Sequence, residues 1–113
     1  MIEPSLRTAV VLRALGEPRR VAILALIRRR ELRAGDIAEN FKTTRSAISQ
    51  HLQVLTRAGL VSLRRRGTRR FYRVRPEGFA ELRSLLSTFW DESLAKLKTE
   101  AEKQAKSQWK RSR

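Results

Sequence analysis

Residues Thr43–Val61 read TTRSAISQHLQVLTRAGLV, and Leu63–Val74 continue as LRRRGTRRFYRV. In the first stretch Ile48, Leu52 and Leu55 recur at i, i+4 and i+7, the spacing of one dry helix face. At about 100° per residue, Ser46, Gln50, Gln53 and Arg57 fall roughly opposite. Ser49 sits on the flank, and His51 lies between the two faces. Thr44 is placed to cap this helix, and Gly59 supplies the left-handed residue that ends it. The pattern then switches to strand-like alternation. Val61 and Leu63 point one way, Ser62 and Arg64 the other, and Tyr72 and Val74 alternate on the return after a Gly67-Thr68 tip. Arg64, Arg65, Arg66, Arg69 and Arg70 crowd that tip, where they repel one another unless counter-charge is near. Phosphates supply such charge. A polar-faced helix followed by a cationic hairpin is the layout of a winged helix-turn-helix, which places a helix in the major groove and holds the flanking phosphates.

The upstream residues complete the motif. Ser5 caps a first helix carrying Leu6, Val10, Leu12 and Leu15, and Gly16 stops it. Pro18 suits the first turn of a second helix. That helix runs through Val21, Ile23, Leu24, Leu26 and Ile27 to Arg28-Arg29-Arg30, which complement the negative end of its dipole. Glu31–Gly35 forms a connector with room for one short strand. Asp36 to Glu39 has capping-box spacing, which predicts a short third helix capped by Asp36 and ending near Phe41. The helix-turn-helix then covers about residues 36–58 and the wing about 60–75.

Charge is distributed to match. The chain of 113 residues holds 26 Lys+Arg against 11 Asp+Glu. Between Glu17 and Arg75 the balance is 16 to 4, but after Pro76 it is only 8 to 6. A polyanion-binding face requires this clustering, which an evenly basic composition would not produce. The absence of cysteine excludes disulfides and thiolate metal sites. The longest apolar run, Val21–Ile27, is too short to span a bilayer, and the N-terminus does not read as a signal peptide. A cytoplasmic protein, associated with the nucleoid when bound to DNA, is the expectation. No nucleophile, carboxylate dyad or phosphate-cradling glycine loop accompanies His51, so an enzyme is not expected.

After Pro76, the apolar residues Phe79, Leu82, Leu86, Phe89 and Leu97 follow near-heptad spacing, broadened by Leu85, Trp90 and Leu94. A helix over about residues 77–106 would be about 45 Å long. One small core cannot cover that stripe, so a second copy of the chain is expected against it. The partner surface read here is Leu6 and Val10 on the first helix with Phe79, Leu82, Leu86, Phe89, Trp90 and Leu97 on the last. Residues 1–108 are read as one domain, and 109–113 as a frayed basic tail in which Trp109 is exposed.

These residues resemble the arsenical-resistance-repressor (ArsR/SmtB-type) family of bacterial winged-helix regulators. The likeness rests on Leu15–Arg20 (LGEPRR) with Ile23-Leu24, Glu31-Leu32, Ile37–Glu39, Ile48–Leu52 (ISQHL), Val54-Leu55, Ala58–Val61 (AGLV), Arg66-Gly67 and Tyr72, in order over about residues 10–75. It implies a mainly α fold with a small β-hairpin, a winged helix-turn-helix flanked by long N- and C-terminal dimerisation helices. It also implies a homodimeric repressor that binds an imperfect inverted repeat in double-stranded DNA, often at its own promoter. The DNA-binding residues would be Thr44, Arg45, Ser46, Ser49, Gln50, His51, Gln53, Arg57, Arg64, Arg65, Arg66, Arg69 and Arg70. On residues alone His51 reads equally as a packing side chain or a phosphate donor. The resemblance favours the donor.

The sequence departs from the family's metal sensors. Where they carry an ELCVCDL-type segment, this chain has Glu31–Ile37 (ELRAGDI), with Arg33 and Gly35 at the thiolate positions. Their second site takes Asp, His and Glu from the last helix, but the single histidine here is His51. Asp91 and Glu92 do not complete such a site, and Glu92 is spaced to pair with Lys96. Phe89–Lys98 (FWDESLAKLK) looks like a metal-free branch that includes autorepressors. No metal, cofactor or membrane is therefore expected, and the inducer, small molecule or protein, is unspecified. Two other functions share the charge: a non-specific RNA-binding or architectural DNA-binding protein, and an adaptor docking on an acidic protein.

Overall fold

A computed structural model describes residues 3–112, with side chains described except at 90–94 and 109–112. Five helices and one hairpin follow in order: α1 (Leu6–Leu15), α2 (Pro18–Ile27), α3 (Ala34–Glu39), α4 (Arg45–Arg57), β1 (Val61–Arg66), β2 (Arg69–Val74), a 3-10 turn (Pro76–Phe79) and α5 (Ala80–Ser112). Residues Met1–Leu82 make one compact unit and Arg83–Arg113 a second.

Local signals set most boundaries. The Ser5 hydroxyl accepts from the Thr8 amide at 3.1 Å, and that of Thr44 from the Ala47 amide at 3.0 Å, each satisfying an orphan donor of a first turn. Pro18 opens α2, with the Glu17 carboxylate accepting from the Arg19 amide at 3.1 Å. Gly59 (φ 78°) closes the helix-turn-helix, and Gly67 (φ 61°) takes the first central position of the hairpin turn, where a positive φ is demanded.

Two local expectations are corrected. Asp36 does not cap α3. The helix starts earlier, at Ala34, with Arg33 at the N-cap and no side chain bonded there. Asp36 lies inside the first turn, where its carboxylate meets Arg33 Nε at 3.3 Å. Arg28–Arg30 lie beyond the end of α2 at Ile27 rather than within its last turn. At the other end of the chain, α5 runs through Ser112. The side chains of Trp90 and Trp109 lie outside the described residues.

Ile48, Leu52 and Leu55 of α4 are fully buried with Ile23, Ile27, Ile37 and Leu60, and this seam is the core of the first unit. Each such side chain contributes roughly 1.5–3 kcal/mol of transfer free energy. Leu82 is only 7% exposed within that unit, and Phe79 packs against the same core. Heptad spacing alone assigns both to a partner chain. Within the chain both pack on their own domain, since the 3-10 turn leads the start of α5 onto the core that contains Leu60 and Val61.

That turn depends on a close backbone approach. A Cβ at Gly78 would sit 1.9 Å from the Gly59 carbonyl oxygen, so no larger residue fits without displacing the end of the helix-turn-helix. Nearby, the Arg75 amide donates to Leu60 O at 2.8 Å. A second tie joins α1 to the start of α5. The hydroxyls of Ser5 and Thr8 donate to Glu81 Oε2 at 2.7 and 3.0 Å. Those bonds, with the Arg7 charge, hold the Glu81 carboxyl below its ordinary 4.5, against the opposing effect of desolvation.

Gly78→Ala should therefore destabilise the protein by about 1–3 kcal/mol in denaturant unfolding, the cost of forced backbone displacement. For Glu81 the folded-state pKa is depressed, so its contribution is present above the ordinary value and is lost as pH falls through the lower folded value. Glu81→Gln should lower the thermal midpoint at pH 7, and the gap to wild type should close as the pH is taken below about 4.5.

Candidate nucleic-acid interface

The buried seam of α4 leaves Arg45, Ser46, Gln50, Gln53 and Arg57 exposed on the rest of the helix, with Ser49 half-buried at its edge. Amide, hydroxyl and guanidinium groups on a 13-residue helix held by its opposite side suit hydrogen bonding to base edges. The structure thus brings together the α4 residues singled out by sequence.

The hairpin register divides the wing arginines by face. Val61 pairs with Val74, Leu63 with Tyr72, Arg64 with Phe71, Arg65 with Arg70 and Arg66 with Arg69. Side chains alternate along each strand. Val61, Leu63 and Arg65 therefore share a face with Val74, Tyr72 and Arg70, and Val61 marks it as the core side. Arg64 and Arg66 share the other face with Arg69, Phe71 and Arg73, although Arg69, next to the turn, still lines the cleft beside α4. Leu32 adds a single bridge to Tyr72, so β2 is central and the connector before α3 forms a third edge. The sequence presents the five arginines as one cluster, and only the register separates them.

Two open clefts adjoin α4. One, of about 560 Å³, lies between Arg33, Arg45, Ser49, Arg69 and Arg70, and so draws on the start of α3, on α4 and on the hairpin tip. The other, of about 260 Å³, includes Gln53, Thr56, Arg57 and Arg70. Four guanidiniums around the first cleft give it a positive charge that suits a phosphate better than a neutral ligand. Arg33 escapes sequence reading, because it stands in the connector and nothing in the pattern points it toward α4.

His51 is half-buried and faces α2. Its Nδ1 lies 3.5 Å from an Arg20 terminal nitrogen. The same guanidinium donates to Ala14 O at 2.6 Å and Arg13 O at 3.2 Å. Arg20 thus ties the end of α1 to α4. An always-charged donor beside Nδ1 favours the tautomer with the proton on Nε2. Arg19 of α2 stacks over the Phe41 ring at 4.8 Å and so ties α2 to the turn between α3 and α4. Among the described residues no group of three His, Cys, Asp or Glu is placed to hold a metal ion. Nor is any helix among them long and apolar enough to cross a membrane.

An exposed polar helix above a buried seam, with a two-stranded basic wing beside it, defines a winged helix-turn-helix DNA-binding protein. Residues 17–62 match the model of the bacterial regulatory protein arsR family. The chain is 42% identical over 81 residues to the HTH-type transcriptional regulator Rv2034 of Mycobacterium tuberculosis, covering 72% of this chain and 76% of the relative. It is 39% identical over 62 residues to the transcriptional repressor SdpR of Bacillus subtilis (55% and 69% covered). It is 36% identical over 72 residues to the transcriptional activator HlyU of Vibrio cholerae (64% and 67% covered). Among solved structures it resembles the homodimeric winged helix-turn-helix DNA-binding domain of a possible ArsR-family regulator from Mycobacterium bovis. The TM-score there is 0.62 at 34% identity, with 81% of this chain and 92% of that one covered. The chain belongs to the ArsR family of transcriptional regulators.

Proposed function

We propose that this chain is a homodimeric repressor that reads an inverted-repeat operator, its own promoter among the targets, without a metal effector. The observation that carries the reading is the exposure of Ser46, Gln50 and Gln53 on α4, directly beside the arginine-lined cleft. In this reading α4 lies in the major groove, with those three side chains on base edges. Thr44, Arg45, Ser49, Arg57, Arg65, Arg69 and Arg70 hold the adjoining phosphates, and His51 donates to one through Nε2. Relatives act in both directions. Repression is favoured here because a dimer occupying a promoter excludes polymerase without touching any other protein. The absence of cysteine and the presence of a single histidine support metal independence. The protein would work in the cytoplasm, on the nucleoid.

Dimerisation is supported by apolar side chains left in water. Leu6 is 85% exposed, Leu86 44%, Phe89 54% and Leu97 60%, with Val10 partly uncovered as well. A two-fold partner covering α1 and α5 would remove that surface from solvent and set two copies of α4 about one helical turn of DNA apart.

The test is whether the purified protein selects an inverted repeat from DNA upstream of its own gene and lowers transcription from it, with Zn(II), Cd(II) and As(III) leaving the complex intact. Equal affinity for random duplex would favour a non-specific binder, and increased transcription would make it an activator. On the selected site, Gln50→Ala should cost about 1–3 kcal/mol and change random-duplex binding little. Replacing Arg65 and Arg70 by Ala should weaken both, and flatten log K against log salt by about 0.9 for each phosphate no longer neutralised. Leu86→Glu with Phe89→Glu should give a monomer by sedimentation that binds operator weakly, since the half-sites are no longer linked.

A further inference from the structure

Glu31 stands where the wing's own arginines would otherwise be unopposed. Leu32 exchanges hydrogen bonds with Tyr72, N to O at 3.1 Å and the reverse at 2.8 Å, which fixes the connector against β2. Side chains alternate, so Glu31 projects to the face opposite Leu32 and Tyr72. That is the face of Arg64, Arg66 and Phe71. The Glu31 carboxylate lies 3.3 Å from an Arg66 terminal nitrogen and 4.0 Å from one of Arg64. Its side chain is only 20% exposed, while the two arginines are at 58% and 50%. The Arg66 guanidinium also lies 5.7 Å from the Phe71 ring centroid. Arg65 and Arg70, on the other face, have no acidic partner among the described ion pairs.

We infer that Glu31 is a specificity-determining residue: it holds Arg64 and Arg66 on an internal carboxylate and so keeps two of the wing's cations from adding sequence-independent phosphate binding. The physical ground is competition. A phosphate must compete for either arginine with a carboxylate that is itself only 20% exposed and already opposes part of their charge. Phosphate binding carries no sequence information, so withholding two cations from it widens the margin between operator and random DNA. The Phe71 ring holds Arg66 further, through a cation–π contact with its guanidinium.

The inference rests on the DNA-binding reading above, and the experiment separates the two. Wild type, Glu31→Gln, Arg64→Ala/Arg66→Ala and Arg65→Ala/Arg70→Ala are titrated with a random-sequence duplex between 50 and 200 mM salt, after circular dichroism confirms folding. Glu31→Gln should bind more tightly and with a steeper salt dependence. If each protomer of the dimer neutralises one more phosphate, the affinity advantage should shrink about tenfold across that range. Adding the Arg64 and Arg66 replacements to Glu31→Gln should cancel the advantage. In the wild-type background those replacements should leave the slope nearly unchanged, whereas Arg65→Ala/Arg70→Ala should flatten it. The comparison within wild type holds even if Glu31→Gln unfolds. An unchanged or weaker Glu31→Gln, or Arg64→Ala/Arg66→Ala flattening the slope as much as Arg65→Ala/Arg70→Ala, would overturn the inference while leaving DNA binding intact. A wild type that binds no duplex would overturn both.

Discussion

The rotation of α4 about its own axis is the constraint on which the rest depends. Ile48, Leu52 and Leu55 are wholly removed from water against Ile23, Ile27, Ile37 and Leu60. Turning the helix by one residue would expose at least one of these side chains, at roughly 1.5–3 kcal/mol each, and would carry polar groups into the core. The seam therefore aims Ser46, Gln50 and Gln53 outward without any bond of their own. Arg20 then fixes the helix from α2 through His51, and the Gly59–Gly78 approach fixes where its far end meets the chain leading to α5. A base-reading face needs this rigidity, since a bidentate hydrogen bond tolerates little displacement of its donor.

Charge is arranged on that frame at two levels. The cleft between α3, α4 and the hairpin tip gathers arginines that are far apart in sequence, among them Arg33, Arg45 and Arg69. No internal carboxylate neutralises Arg45, Arg69 or Arg70 in the described ion pairs, while Arg33 is shared with Asp36. The opposite face of the wing carries its own acid in Glu31. The basic excess between Glu17 and Arg75 is thus not a uniform coat: part of it is open to a polyanion and part is already satisfied. Salt bridges this exposed add little to stability, so their arrangement matters more for what the arginines are free to bind.

The elements legible in the sequence are those with a local cause. The Thr44 cap, the i, i+4, i+7 seam, Gly59, the Gly67 tip and the alternation of the strands are each decided by a few adjacent residues. The start of the third helix is not legible in this way, because Asp36 and Glu39 fit a capping box that the chain does not use: the helix starts at Ala34, and Asp36 lies inside its first turn. Spacing leaves out part of what Phe79 and Leu82 do, for a different reason. Their heptad spacing continues into α5, and nothing local says that the 3-10 turn brings the first of them back onto the domain's own core. Arg33, Arg20 and Glu31 become visible only through tertiary geometry. A strand register and one isolated bridge assign the neighbours of Glu31, and neither can be read from spacing.

In the proposed complex α4 reads bases while the cleft and the core-side wing arginines hold phosphates. Chemical interference on a bound duplex tests it most directly, with guanine N7 methylation probing the major groove and phosphate ethylation probing the backbone. The account predicts two patches of major-groove interference on one face of the duplex, about 10 base pairs apart centre to centre, each flanked by a few sensitive phosphates. Interference from phosphates alone, spread evenly along the duplex with no sensitive guanine N7, would contradict it.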